Sequence, residues 1–193
     1  MPCLGILGGT FDPVHSGHLL LAQFVSERIH LDEVLFVPAA DPPHKLEHPT
    51  RAAAEDRWTM VQLALEGHTT FSASRIELDR PGKSYTVDTL RALRQIRPTD
   101  EFYLLIGADN LAQFSTWCEP EEILRLCTVV VGSRTTGEPE ESWPAADRII
   151  HVITPIFQIS STEIRERIGT GKPIRHLVPG PVEEYIYRQG LYA

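Results

Sequence analysis

Cysteine is scarce in this chain: Cys3, Cys118 and Cys127 are the whole set among 193 residues. An odd number without a CxxC spacing excludes a disulfide framework and a thiolate zinc site, and it fits a reducing, cytoplasmic setting. Long apolar runs are missing too, and nothing approaches the roughly 20 residues a spanning helix needs. The start, MPCLGILGGTFDP, has no basic segment and is interrupted by Gly5, Gly8 and Gly9, so it does not read as a signal peptide. No lipidation motif is present. Positive charge is in deficit: 18 Lys and Arg against 26 Asp and Glu give a formal net charge of -8 with His neutral. A surface of that sign excludes general binding to nucleic acid polymers or to anionic membranes, while leaving room for a local pocket that takes a small anion.

What is present is an alternation of short apolar runs with amphipathic segments. CLGILG at 3–8, EVLFVP at 33–38, FYLLI at 102–106, TVVV at 128–131 and RIIHVI at 148–153 read as buried strands, and SRIELD around Ile76 alternates like another. Helical offsets recur in HLLLAQFVSERIH, in 51–66, in Val87, Leu90, Leu93 and Ile96 before Pro98, in PEEILRL, in SSTEIRERI and in PVEEYIYRQG. Residues 39–50 and 135–145 read as loops, and DRPGKS at 79–84 as a turn. The expectation is an α/β fold, a doubly wound parallel Rossmann-like sheet with helices on both faces. One domain is expected over 1–193, including a helical part from about residue 160, and without repeats or linkers.

The strongest chemical signal is GGTFDPVHSGH at 8–18, directly after the first strand and running into the first helix. Glycines let backbone N–H groups approach an anion, and the helix N-terminus adds partial positive charge. It is neither a Walker A loop nor a GxGxxG fingerprint. In place of a P-loop lysine stand His15 and His18, three residues apart and therefore on one side of the first turn, able to donate to phosphate oxygens. Zinc is a weaker use of the pair, since no third ligand stands out. Late in the chain, ISSTEIR at 159–165 offers hydroxyls and N–H groups at a helix start and a planar guanidinium at Arg165. Ser160 and Glu163 also fit a capping box.

The first segment resembles the nucleotide-binding signature of the adenylyl- and cytidylyltransferases, in which an HxGH element holds the triphosphate, and the second is similar to the ISSTxxR element of the same superfamily. PPHK at 42–45, SYTVDTL at 84–90 and GADNLAQFSTW at 107–117 resemble bacterial nicotinate-nucleotide adenylyltransferases, so the likeness spans nearly the whole chain. Shorter pantetheine-phosphate adenylyltransferases share the ends but not this middle. The resemblance implies transfer of AMP from ATP to nicotinate mononucleotide by in-line attack, giving nicotinate adenine dinucleotide and pyrophosphate, with Mg²⁺ accompanying ATP. A non-enzymatic nucleotide sensor is the alternative outside the class.

Carried over by that likeness, His15, His18 and Arg165 are the catalytic candidates. Gly8, Gly9, Thr10, Phe11, Gly107, Asp109, Ser160, Ser161 and Thr162 are expected around ATP. Lys45, Thr86, Trp117, Cys118 and Arg134 are expected around the pyridine nucleotide, with Tyr85 and Asp88 structural. Cys118 stands where the family commonly has a second aromatic, so only its backbone N–H is offered to a carboxylate there. The TTGEPEES stretch after Arg134 also lacks the Pro-Gly of the family pattern. The sequence singles out no resident metal ligands and is compatible with a homo-oligomer.

Overall fold

The computed structural model describes residues 1–42, 50–133, 148–155 and 158–193. Six parallel strands form one sheet in the order β3-β2-β1-β4-β5-β6: β1 is Cys3–Gly9, β2 Glu33–Pro38, β3 Phe71–Ala73, β4 Glu101–Gly107, β5 Thr128–Ser133 and β6 Ile149–Ile153. The helices are α1 Ser16–Ile29, α2 Ala54–Leu65, α3 Thr86–Ile96, the short α4 Ala108–Ala112, α5 Pro120–Leu126, α6 Ser161–Gly169 and α7 Gly180–Gln189. This is the doubly wound α/β arrangement that the alternation implies.

The inner strands read as nearly unbroken apolar runs because both of their faces are covered, as parallel sheets require, whereas the edge strands β3 and β6 are only part-buried. Successive residues point to opposite sides. Val34 and Phe36 of β2, with Val130 of β5, join one core built with α1, α2, α6 and α7. Leu35, Val37, Val129 and Val131 join the other, built with α3 and α5. The last helices are therefore part of a core, since Ile164 of α6 and Val182 and Ile186 of α7 pack with Val25 of α1 and Met60 of α2.

Chain order decides where a ligand can enter. From β1 the chain winds outward through β2 to β3, then returns to place β4 on the other side of β1. Connections leave the carboxyl ends of β1 and β4 in opposite directions, which opens a crevice at that point.

One expected element is corrected. SRIELD at 74–79 is not a strand: β3 ends at Ala73, and the following residues turn. Local bonds explain it, since Ser74 Oγ accepts from the Ile76 N–H at 3.3 Å, Arg75 pairs with Asp79 at 3.2 Å, and Asp79 N–H donates to the Arg75 carbonyl. Side chains bonding to neighbouring backbone compete with a sheet ladder in this way. The short helix α4 was not anticipated.

Because Ile164 is fully buried, Ile164→Ala is expected to cost about 2–5 kcal/mol. Urea unfolding followed by circular dichroism and by tryptophan fluorescence should give one coincident, shifted transition. A separate transition for the C-terminal part would show that α6 and α7 are not integrated.

Candidate active site

A cavity of about 910 Å³ lies over the carboxyl ends of the central strands. Its lining combines Gly8, Gly9, Thr10, Phe11, His15 and His18 from the β1–α1 segment, Ser160 and Ser161 at the start of α6, Gly107 and Asp109 where β4 meets α4, and Ser84, Thr86 and Trp117. A site that takes a small molecule is expected to have this concave, mixed lining.

The segment between β1 and α1 is held from behind. The Asp12 carboxylate accepts from Arg51 N–H at 2.8 Å, Ala52 N–H at 3.1 Å and the Tyr192 hydroxyl at 2.8 Å. Arg165 donates to the Asp12 carbonyl at 2.7 Å, and Ser161 Oγ donates to the Pro13 carbonyl at 2.9 Å. Two sequence motifs some 140 residues apart thus meet through four hydrogen-bonding groups. Ser160 caps α6, its hydroxyl accepting from Glu163 N–H at 3.1 Å.

His15 is the N-cap residue of α1 and His18 lies in its first turn. Their rings stack with centroids 3.6 Å apart, and Phe11 meets His18 edge-on at 4.9 Å. His15 N–H donates to His18 Nδ1 at 3.2 Å. A nitrogen that accepts carries no proton, so neutral His18 keeps its proton on Nε2 as a donor. His15 Nδ1 is buried without a partner. A Cβ at Gly17 would come within 3.1 Å of that nitrogen, which accounts for the glycine between the two histidines.

Burial pushes the His15 imidazole down to about 4, and burial together with the neighbouring His15 holds His18 well below its ordinary value. Both rings are therefore neutral hydrogen-bond donors near pH 7 in the free protein. An anion placed against them would favour the charged form.

The other expected residues fall out as follows. Gly8, Gly9, Thr10, Phe11, Gly107, Asp109, Ser160, Ser161, Thr86 and Trp117 line the cavity. The Phe11 ring is packed into the core against Phe36, so its backbone is what it can offer a ligand. Thr162 and Arg165 are not part of the lining. Arg165 is engaged with the Asp12 carbonyl and, at 3.1 Å, with Thr162 Oγ1. Cys118 is exposed and outside the lining. Lys45 and Arg134 lie outside the described residues.

Sequence reasoning missed Arg57 and Glu77. Arg57 Nη1 donates to the carbonyls of Thr10 and Ala39, both at 2.7 Å, and is 1% exposed. Its signal was an arginine on the apolar stripe of α2, with Met60, Val61 and Ala64. Glu77 sits buried in the cavity wall, in a turn that gave no periodic signal. Among the described residues no group of three or more His, Cys, Asp or Glu could hold a metal ion, and no helix is long and apolar enough to cross a membrane.

Residues 6–167 match the cytidylyltransferase-like family model. A relative from Thermus thermophilus, named probable nicotinate-nucleotide adenylyltransferase, is 47% identical over 189 residues, covering 98% of each chain. The chain belongs to this family, in its nicotinate-nucleotide adenylyltransferase branch. A relative of the same name from Thermomicrobium roseum is 44% identical over all of this chain and 92% of its own. Two solved structures share the fold of this branch member. One is described as a nicotinate-nucleotide adenylyltransferase from Vibrio parahaemolyticus, with TM-score 0.74, 23% identity and coverage of 100% and 96%. The other is nicotinic acid mononucleotide adenylyltransferase of Plasmodium falciparum complexed with NaAD, with TM-score 0.80, 18% identity and coverage of 100% and 98%.

Two expectations follow from this geometry. A Cβ at Gly8 would meet no protein atom within 4 Å and would project into the cavity. Gly8→Ala should therefore fold with wild-type stability yet bind ATP at least about tenfold more weakly by calorimetry, a steric cost to an approaching phosphate. Unaltered ATP affinity would place the phosphates elsewhere. The second concerns pH. A histidine with a depressed folded-state pKa binds fewer protons folded than unfolded, so its stabilisation is complete above about pH 6.5 and is lost as pH falls toward about 4. In urea unfolding at stepped pH, His15→Gln should lose part of that acid dependence; an unchanged slope would contradict a buried neutral His15.

Proposed function

We propose that this chain transfers the AMP moiety of ATP to nicotinate mononucleotide, giving nicotinate adenine dinucleotide and pyrophosphate in NAD biosynthesis. The observation that carries the reading is that one cavity is lined both by a glycine-rich segment with two imidazoles, suited to phosphate, and by Thr86 with Trp117. Full-length likeness to relatives of that name supports it.

The attacking group is the acceptor's phosphate oxygen, which bonds to the α-phosphorus as the bond to the bridging oxygen of pyrophosphate breaks. That oxygen is already anionic, so no general base is needed and no covalent enzyme intermediate forms. The task is to bring polyanions together in line and to offset their charge. Gly8, Gly9, Thr10 and Phe11 offer backbone groups to the phosphates, and His15 and His18 donate to the phosphoryl oxygens as charge develops there. Ser160 and Ser161 face the triphosphate in the cleft, and Arg165 adds positive charge while clamping Asp12, its guanidinium steadied by Thr162 Oγ1. Gly107 and Asp109 take the adenosine. Thr86 and Trp117 take the pyridine nucleotide, with the ring stacked on the indole, and the adjoining Cys118 N–H, outside the lining of the free protein, is the proposed donor to its carboxylate. Lys45 and Arg134 are the proposed cations for its phosphate.

Magnesium is proposed to enter with the ATP co-substrate, held mainly by the phosphates, in keeping with its preference for few protein ligands. One domain acting in the cytoplasm, in contact with neither membrane nor nucleic acid polymer, completes the proposal.

Pyrophosphate release from ATP and Mg²⁺ should require nicotinate mononucleotide. Release only with phosphopantetheine would overturn the acceptor, and no release with any acceptor would favour a sensor. His18→Ala should lower kcat about 10²–10³-fold and weaken ATP binding less. Normal turnover would remove His18 from the mechanism.

A further inference from the structure

One carboxylate in the cavity wall has no part in the chemistry above. Glu77 is 6% exposed, lines the cavity with Ser84, Thr86 and Trp117, and is bonded to the helix that Thr86 begins. Thr89 Oγ1 donates to its Oε1 at 2.6 Å, and the Ser84 side chain stands near enough to the same carboxylate to favour its charged form. Ser84 Oγ meanwhile accepts from Ala40 N–H at 2.9 Å and Asp41 N–H at 3.3 Å. Arg80 Nη2 completes the set, donating to Thr89 Oγ1 at 3.2 Å.

An ionised carboxylate only accepts hydrogen bonds. It therefore turns the Thr89 proton toward itself, and it attracts the proton of the neighbouring Ser84 hydroxyl, whose lone pairs already face the two amides after β2. A neutral amide cannot impose the same direction on both hydroxyls, because its nitrogen donates. Burial pushes the Glu77 carboxyl up, whereas the two hydroxyls and the Arg80 charge oppose that shift. Burying such a group costs stability unless it is bonded, and a plain core would be served by an apolar side chain. What the carboxylate adds is direction at three chain segments that meet beside the cavity.

We infer that Glu77 is a positioning residue for the acceptor nucleotide: through Ser84 and Thr89 it fixes Thr86, which lies between them at the start of α3, and the Ala40–Asp41 backbone against the acceptor. The inference rests on the reading that Thr86 and Trp117 mark the acceptor end. It predicts an effect chiefly on the acceptor, because the phosphate wall hangs on Asp12, Arg57 and Arg165, of which Arg57 alone also reaches the Ala39 and Ala40 carbonyls.

The test is steady-state kinetics with ATP and nicotinate mononucleotide varied separately, beside thermal melting, for the wild type, Glu77→Gln, Thr89→Val and Thr89→Ser. Glu77→Gln and Thr89→Val should raise KM for nicotinate mononucleotide about tenfold, the effect of one lost hydrogen bond, with KM for ATP unchanged. Thr89→Ser keeps the hydroxyl and loses a buried methyl, so it should melt lower yet keep the wild-type KM. A purely structural role would make KM follow melting temperature, with Thr89→Ser impaired; that result, or an unmoved KM in Glu77→Gln, overturns the inference. A wild type that turns over no nicotinate mononucleotide overturns the functional reading and this inference with it, whereas wild-type turnover with unmoved variants removes the inference alone.

Discussion

Everything at the candidate site depends on how the short segment between β1 and α1 is tied down. To present backbone N–H groups and two imidazoles to an anion, that segment must keep its front free, so its stiffness has to come from behind. Asp12 supplies the anchor: its carboxylate takes the first amides leading to α2 and the hydroxyl of Tyr192, and its carbonyl takes Arg165. Arg57 holds the Thr10 carbonyl, and Ser16 N–H donates to the Leu177 carbonyl. Hydrogen bonds to charged groups contribute about 1.5–3 kcal/mol each, so a handful suffices to hold one conformation. This explains why residues after 160 pack back across the start of the chain instead of forming a separate unit.

The same arrangement decides the electrostatics. A chain with a net charge of -8 must accept polyanionic substrates, and it does so with local rather than overall charge. Two buried or half-buried imidazoles are kept neutral, so the free protein does not bear the full cost of burying two adjacent cations. Arg57 and Arg165 lie behind the segment, and α1 points its N-terminus at the cavity. The positive potential is thus concentrated where an anion binds, and the imidazoles can gain charge when an anion is there to stabilise it.

Much of this was legible in the sequence, for physical reasons that also mark its limits. Strands buried on both faces announce themselves as apolar runs, and so β1, β2, β4 and β5 stood out, while the part-buried edge strand β6 stood out by its isoleucines alone. Glycines beside histidines at a strand end pointed to phosphate because few other roles need that combination. SRIELD misled because alternation cannot register a Ser74 side chain bonding to the backbone or an Arg75–Asp79 pair closing a turn. Arg57 and Glu77 escaped because their importance lies in bonds to residues distant in sequence, which leave no local periodicity. Arg165 was identified as a residue of the site, but its bond to the Asp12 carbonyl became visible only once the two motifs were packed together.

The most direct test is nitrogen-15 NMR of the imidazoles of His15 and His18 in the free protein across pH. The account predicts that both stay neutral at pH 7, that His18 carries its proton on Nε2, and that His15 takes up a proton only near about pH 4. A protonated pair at neutral pH, or a His18 proton on Nδ1, would contradict it.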